Sequence, residues 1–239
     1  MAYCILIRHG RSTANTQGVL AGWTQGVGLD ETGRGQAEEL VTRLDGTPLV
    51  HLATSPLQRC RETAAPLLSA YSLVPEVHEG LGECRYGAWT GRALSELSQE
   101  PLWRTVQERP SEATFPDGDQ FAGESITTMA ARAVAAVREI DAVITAEHGA
   151  HAVWAAVSHG DVIKAVLADA VATSLDDFQR LHVDPASVSV VHYTDTRPML
   201  LRSNDTGTSA LRPPPPSHQD TPATGEAAVG GGAGLGSQS

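Results

Sequence analysis

Two short apolar runs that each end in His-Gly constrain this chain more than any other feature. Cys4-Ile5-Leu6-Ile7 leads into Arg8-His9-Gly10, and Val153-Trp154-Ala155-Ala156-Val157 leads into Ser158-His159-Gly160. Short apolar runs bounded by glycine read as buried parallel strands, and the glycine allows a tight turn and close backbone approach to a ligand. In open α/β sheets ligands gather beyond the carboxyl ends of the strands. Both histidines therefore face one crevice, and the second strand feeds a helix whose free N-terminal amides favour an anion. A single histidine beside a strand is more often structural; the repetition makes a shared site the better reading.

Strand and helix patterns alternate along most of the sequence, which predicts an α/β layer fold. Ala37, Leu40, Val41 and Leu44 recur at helical spacing after a cap at Thr32. Val50 to Thr54 reads as a strand, and Ser55-Pro56 as the cap and first-turn proline of a helix to about Ala70. Leu73 to His78 is a weaker strand. A helix near Ala93 to Gln107 and a Pro, Gly and Asp loop around Pro110 to Asp119 read as an insertion, 92–122, over the site. Ile126, Met129, Ala133, Val137, Ile140 and Ile144 fit one long helix with a single buried face. A helix at Asp161 to Ala172, a short one near Asp176 to Leu181, and strands at Val188 to Tyr193 and Met199 to Arg202 complete the pattern.

These elements place a catalytic domain at 1–203. The segment 204–239 contains the run Pro213 to Pro216 and Gly230-Gly231-Gly232, lacks apolar periodicity, and reads as a disordered tail. A formal charge of −11 argues against a nucleic-acid or anionic-membrane partner, so an anionic substrate must meet a local basic pocket. Cys4, Cys60 and Cys84 show no metal or redox spacing and read as free thiols of a cytoplasmic protein. No run reaches the length of a membrane span, and the N-terminus lacks the charged region of a signal peptide.

The chemistry follows from residue type. Arg8 offers a planar fork that matches phosphate oxygens, and His9 a neutral nitrogen nucleophile near pH 7. Arg59, in the first turn of the helix after Thr54, adds a second cation. Cleaving a phosphate ester also needs a proton for the leaving oxygen. Glu83, in the Gly-rich loop Leu81-Gly82-Glu83-Cys84-Arg85-Tyr86-Gly87, is the candidate donor. His148 and His151 share a helical face but form no recognised ligand pattern, so no metal site is assigned.

Taken in order, Arg8-His9-Gly10 with Asn15, Ser55-x-Leu57-x-Arg59, Glu83 before Tyr86-Gly87-x-Trp89-x-Gly91, Gly123-Glu124-Ser125 and Ser158-His159-Gly160 resemble the histidine phosphatase superfamily. The likeness is to its phosphoglycerate-mutase-like branch and runs from about residue 3 to 202. It implies a three-layer sandwich with a mostly parallel central sheet and helices on both faces. It also implies phosphoryl transfer through a phosphohistidine on His9, with Arg8, Arg59, Asn15 and His159 on the non-bridging oxygens and Glu83 as proton donor. Gly22, Trp23, Gly160 and Arg11 are carried as further substrate-binding residues.

The function expected from this resemblance is metal-independent hydrolysis of a small phosphorylated metabolite, such as a phosphosugar or phosphoglycerate-like acid. The alternatives are a phosphomutase, the only case needing 2,3-bisphosphoglycerate-type priming, and a phospho-ligand-binding regulatory protein; a homodimer is left open. Three departures bear on substrate choice. Arg11 stands where an acid or Gln is common, and Trp89-Thr90-Gly91 and Trp23-Thr24-Gln25 lack acids usual in the family. Arg11 is expected to add positive charge at the pocket rim.

Overall fold

The computed structural model describes residues 1–207 and residue 230. Six strands form one sheet: β1 (Tyr3–Arg8), β2 (Leu49–Thr54), β3 (Glu76–Val77), β4 (Val153–Ser158), β5 (Val188–Tyr193) and β6 (Pro198–Asp205). Their spatial order is β3-β2-β4-β1-β5-β6. The pairs β3-β2, β2-β4 and β4-β1 are parallel, whereas β5 and β6 join antiparallel at one edge.

Alternation along each strand sends side chains into two separate cores. Ile5, Ile7, Leu52, Ala155 and Val157 pack against Leu40 of α2 (Glu31–Arg43) and against Cys60, Ala64 and Leu67 of α3 (Gln58–Tyr71). Cys4, Leu6, Ala53, Trp154 and Ala156 face the other way. They join Met129, Ala133, Val137 and Ile140 of a long helix (Ile126–His148) and Val162, Ile163 and Val166 of an 11-residue helix (Gly160–Ala170). Helices thus cover both faces of a mixed sheet, the three-layer architecture expected.

The elements between are smaller. A short helix, α1 (Thr13–Gln17), follows the first strand exit. The insertion holds two helices, α4 (Leu94–Leu97) and α5 (Pro101–Glu108), in place of one from Ala93 to Gln107. Pro101 explains the break, since it lacks an amide hydrogen and starts a new helix at its first turn. The long helix is therefore α6 and the helix after His159 is α7. Trp89, Trp103 and Phe115 form an aromatic cluster that roots the insertion, with Tyr86 edge-on to Phe115 at 5.0 Å.

Several boundaries move for local reasons. Asp30 caps α2 in place of Thr32, because its Oδ1 accepts the Gly33 amide at 2.7 Å. Helix α3 starts at Gln58, not at Ser55-Pro56, because Ser55 is drawn into the site described below. The third strand shrinks to Glu76–Val77. Strand β6 continues to Asp205, two residues past the expected end of the domain, and the Arg43 guanidinium binds the Asp205 carbonyl at 2.6 Å. Beyond Gly207 the expected tail lies outside the described residues, apart from Gly230. Among the described residues no helix is long and apolar enough to cross a membrane.

Candidate active site

The register of β1 against β4 pairs Arg8 with Ser158, so the two His-Gly exits leave the sheet side by side. The His9 amide donates to the Ser158 carbonyl at 2.9 Å, and the imidazoles of His9 and His159 meet edge to face at 5.2 Å. Gly10 is required where it stands: a Cβ there would lie 2.6 Å from the Gly33 carbonyl oxygen. The Gly10 amide donates to Thr63 Oγ1 at 2.9 Å, which ties the first exit to α3.

His9 has one assigned and one available nitrogen. Nδ1 lies 2.7 Å from the Gly10 carbonyl, which can only accept, so Nδ1 carries the hydrogen. Nε2 then holds the lone pair and accepts from Arg59 Nε at 3.3 Å. Burial, with Arg59 and Arg8 close by, holds the imidazole well below the usual histidine range and keeps that lone pair. Arg59 is buried; its Nη2 donates to the Gly22 carbonyl at 3.0 Å, while Nη1 is buried without a hydrogen-bond partner. Such a donor suits an incoming phosphate oxygen. Arg8, also buried, is fixed by its Nη1 on the Val183 carbonyl at 2.7 Å.

His159 is fully buried. Its Nε2 is 2.8 Å from Ser55 Oγ, and its Nδ1 is 3.7 Å from Glu83 Oε2. Ser55 Oγ also accepts the Leu57 amide at 3.3 Å, and when its own hydrogen goes to Nε2 the imidazole carries its hydrogen on Nδ1, facing Glu83. Cys60 lies beside this ring with Sγ 3.4 Å from Nε2, and burial pushes its thiol up to about 12. The three cysteines are free and buried.

Glu83 is 2% exposed, with Oε1 accepting the Cys84 amide at 2.9 Å. Burial first, then the Asp161 charge, push its carboxyl up to about 7 against the opposing pull of Arg59, the Cys84 amide and Arg8. A carboxyl in that range is suited to give a proton at neutral pH. Its loop is pinned from α6, where Arg132 donates to the carbonyls of Gly80, Gly82 and Glu83 and forms a 2.5 Å ion pair with Glu124. Glu124 Oε1 in turn accepts the Arg85 amide at 2.8 Å.

His9, Asn15, Gly22, Arg59 and Glu83 line one pocket, with Val19, Leu20 and Ala21 on one wall, Leu94 of α4 and Tyr86. Leu94 is the residue of the segment 92–122 that lines this pocket. Arg8 and His159 flank His9, Arg8 as its chain neighbour and His159 with its ring 5.2 Å away, and Gly160 follows as the first residue of α7; none of the three lines the pocket itself. Asn15 Oδ1 accepts the Ser12 amide in a capping box, so its amide nitrogen is the end that can donate to a phosphate.

Two expected binding residues sit elsewhere. Arg11 turns away from the pocket because Asp30 holds its Nε at 2.6 Å and Thr32 its Nη2 at 2.7 Å. Trp23 supports the acid instead of lining the pocket: its Nε1 donates to the Glu83 carbonyl at 2.7 Å, and Arg85 stacks on its ring at 4.0 Å. Sequence reasoning had missed Ser55 as the partner of His159, and also Thr63, Arg132 and Asp161.

A family model, the histidine phosphatase superfamily (branch 1), matches residues 4–206. The chain belongs to the histidine phosphatase superfamily. Among its relatives in that superfamily, phosphoserine phosphatase 1 of Hydrogenobacter thermophilus is 28% identical over 209 residues, covering 86% of this chain and 93% of the relative. A 2,3-bisphosphoglycerate-dependent phosphoglycerate mutase 2 of Gloeobacter violaceus is 29% identical over 229 residues, 90% and 96% of the two chains. The fold is shared with a mycobacterial glucosyl-3-phosphoglycerate phosphatase, at TM-score 0.73 and 24% identity over 85% of this chain and 98% of that one.

Proposed function

We propose that this histidine phosphatase family member is a phosphomonoesterase that works through a phosphohistidine on His9. One observation carries the reading: the lone pair on His9 Nε2, the buried Arg59 donor and a carboxyl raised to about 7 on Glu83 share one pocket. Nε2 attacks phosphorus, the ester P–O bond breaks, and Glu83 gives its proton to the leaving oxygen. The Glu83 carboxylate then takes a proton from water, whose oxygen attacks phosphorus as the P–N bond breaks. Inorganic phosphate leaves and both groups are restored. Arg8, Arg59, the Asn15 amide nitrogen and His159 hold the non-bridging oxygens, where most of the catalysis of phosphoryl transfer lies. These groups supply the positive charge themselves, so the reading needs no metal.

The pocket wall favours hydrolysis over mutase chemistry. A mutase must hold a second phosphate or a carboxylate at the far end of its substrate, which calls for further cations. Here the wall is Val19, Leu20, Ala21 and Leu94, and Arg59 is the one cation among the described residues that line it. With Arg11 held by Asp30, the substrate this wall fits is a monophosphate with an uncharged, partly apolar organic group. That differs from the phosphoglycerate-like acid expected from the motifs.

Incubation with benzyl phosphate, glucose 6-phosphate, and 3-phosphoglycerate with and without 2,3-bisphosphoglycerate tests this. Phosphate release fastest from benzyl phosphate and abolished by His9→Ala supports the reading. Interconversion of phosphoglycerates with little release would replace it with the mutase, and binding without turnover with a regulatory role.

A further inference from the structure

Asp161 is a second buried carboxylate at this site, and the mechanism above does not use it. It sits in the first turn of α7, two residues after His159, and is 2% exposed. Its Oδ2 accepts the Tyr86 hydroxyl at 2.9 Å and the Gly230 amide at 3.0 Å, and its Oδ1 lies 3.6 Å from Lys164 Nζ. Lys164 is itself buried, one turn along α7, and its Nζ donates to Gln179 Oε1 at 3.0 Å. Tyr86 lines the pocket three residues after Glu83 on the same loop, so its hydroxyl joins the acid's loop to α7 and points at Asp161.

Burying a carboxylate and an ammonium is costly even when they are paired. The N-terminus of α7 favours an anion at Asp161 but asks neither for its burial nor for a tyrosine clamp. We propose that Asp161 is a positioning residue for proton transfer, a fixed charge set by Tyr86 and Lys164 that acts on the Glu83 carboxyl. The proposal rests on the phosphatase reading and explains how that site resolves a conflict. Arg8 from β1 and Arg59 from α3 must face the phosphate, yet both favour the ionised form of Glu83, which cannot protonate a leaving group. Arg132 from α6, on the Glu83 carbonyl, adds to the positive field, and His159 is held neutral by burial. Glu124 pairs with Arg132, but on Glu83 itself Asp161 is, after burial, the largest influence raising the carboxyl. Lys164 and the Tyr86 hydroxyl hold the Asp161 side chain in place.

The test compares the full chain with Asp161→Asn in the pH dependence of kcat/KM. Benzyl phosphate has a poor leaving group that needs a proton; p-nitrophenyl phosphate leaves without one. With benzyl phosphate the basic limb should move down by about one pH unit. The benzyl to p-nitrophenyl rate ratio at pH 8 should fall about tenfold. An unmoved limb with equal loss on both substrates would reduce Asp161 to a structural role and overturn the proposal. Lys164→Gln decides the matter if Asp161→Asn does not fold: freeing the Asp161 charge should move the limb up, and a limb that stays or falls overturns the proposal. If the unaltered chain releases no phosphate from either ester, the phosphatase reading fails separately. Carboxyl carbon NMR titration of Glu83 then still reads Asp161 directly, with a lower midpoint in Asp161→Asn expected and an unchanged one overturning the proposal.

Discussion

Ser55 Oγ and His159 Nε2 lie 2.8 Å apart, 104 residues apart in sequence, and this bond decides which face of the second histidine meets the substrate. In the tautomer in which the hydroxyl donates to Nε2, the Nδ1–H faces Glu83. Ser55→Ala should free the ring to take the other tautomer. We expect kcat to fall about tenfold, the size of one such hydrogen bond, with KM changed less. Ser55→Thr, which keeps the hydroxyl, should recover most of the loss, as steady-state kinetics of the two variants would show.

The protonation states of His9 and Glu83 set the pH profile. His9 lies well below the usual histidine range, so the nucleophile stays neutral into mildly acidic solution. Glu83 must be protonated for the first step, and its carboxyl titrates at about 7. For an alkyl phosphate, kcat/KM should therefore fall above about pH 7, approaching tenfold per pH unit. With p-nitrophenyl phosphate the same limb should flatten, which a pH series on both substrates would reveal.

The same carboxyl lowers stability at neutral and basic pH. Its folded value, about 7, lies above the ordinary value of 4.5, so between the two the folded chain binds more protons than the unfolded one. Stability contributed by the protonated form is complete below 4.5 and is lost as pH rises through 7. Glu83→Gln should thus raise Tm at pH 8 and match the unaltered chain near pH 4.5, while phosphate release falls by at least about a hundredfold. His9 and His159 act in the opposite sense: both are lowered in the folded state, so the unfolded chain takes up protons first as pH falls below about 6.5. Thermal melts across pH 4.5 to 8.5 separate the two effects.

The strand exits were legible in the sequence because a buried parallel strand and its glycine turn leave a local pattern. Arg8-His9-Gly10 and Ser158-His159-Gly160 therefore fell on the right elements, and the parallel register of β1 and β4 brought them together. Ser55, Thr63, Arg132 and Asp161 left no such pattern. Each acts through a partner in a distant segment, and a serine or an arginine on a helix reads as a cap or a surface charge until that partner is placed. Arg11 and Trp23 were misplaced for the converse reason. Adjacency to Gly10 and Gly22 fixes where the backbone runs, but Asp30 and the Glu83 carbonyl decide where the side chains go. Pro101 was visible, yet helical spacing on both sides hid the break it makes.

Arg11 offers a direct check on that correction. Its guanidinium is tied to Asp30 and Thr32, so Arg11→Ala should loosen the start of α2 and leave the preference among phosphoesters unchanged. The pair is partly exposed, so the drop in stability should stay within about 1 kcal/mol. A selective loss on substrates with an anionic tail would return Arg11 to the pocket.

Arg132 is the residue that holds the acid's loop against the body of the protein. Its guanidinium satisfies the carbonyls of Gly80, Gly82 and Glu83 and pairs with a Glu124 carboxylate that is mostly buried. Arg132→Met keeps much of the volume and removes every one of these donors, leaving three carbonyls and a carboxylate to find water. Breaking a paired charge of this kind costs about 3 kcal/mol or more, so Tm should fall by several degrees. The kinetic effect should depend on the leaving group, because the loop carries the proton donor and not the nucleophile. Benzyl phosphate turnover should drop at least about tenfold more than p-nitrophenyl phosphate turnover, since a misplaced donor forfeits the proton-transfer advantage. Equal losses on the two esters, measured well below the lowered Tm, would show that Arg132 supports the fold without positioning Glu83.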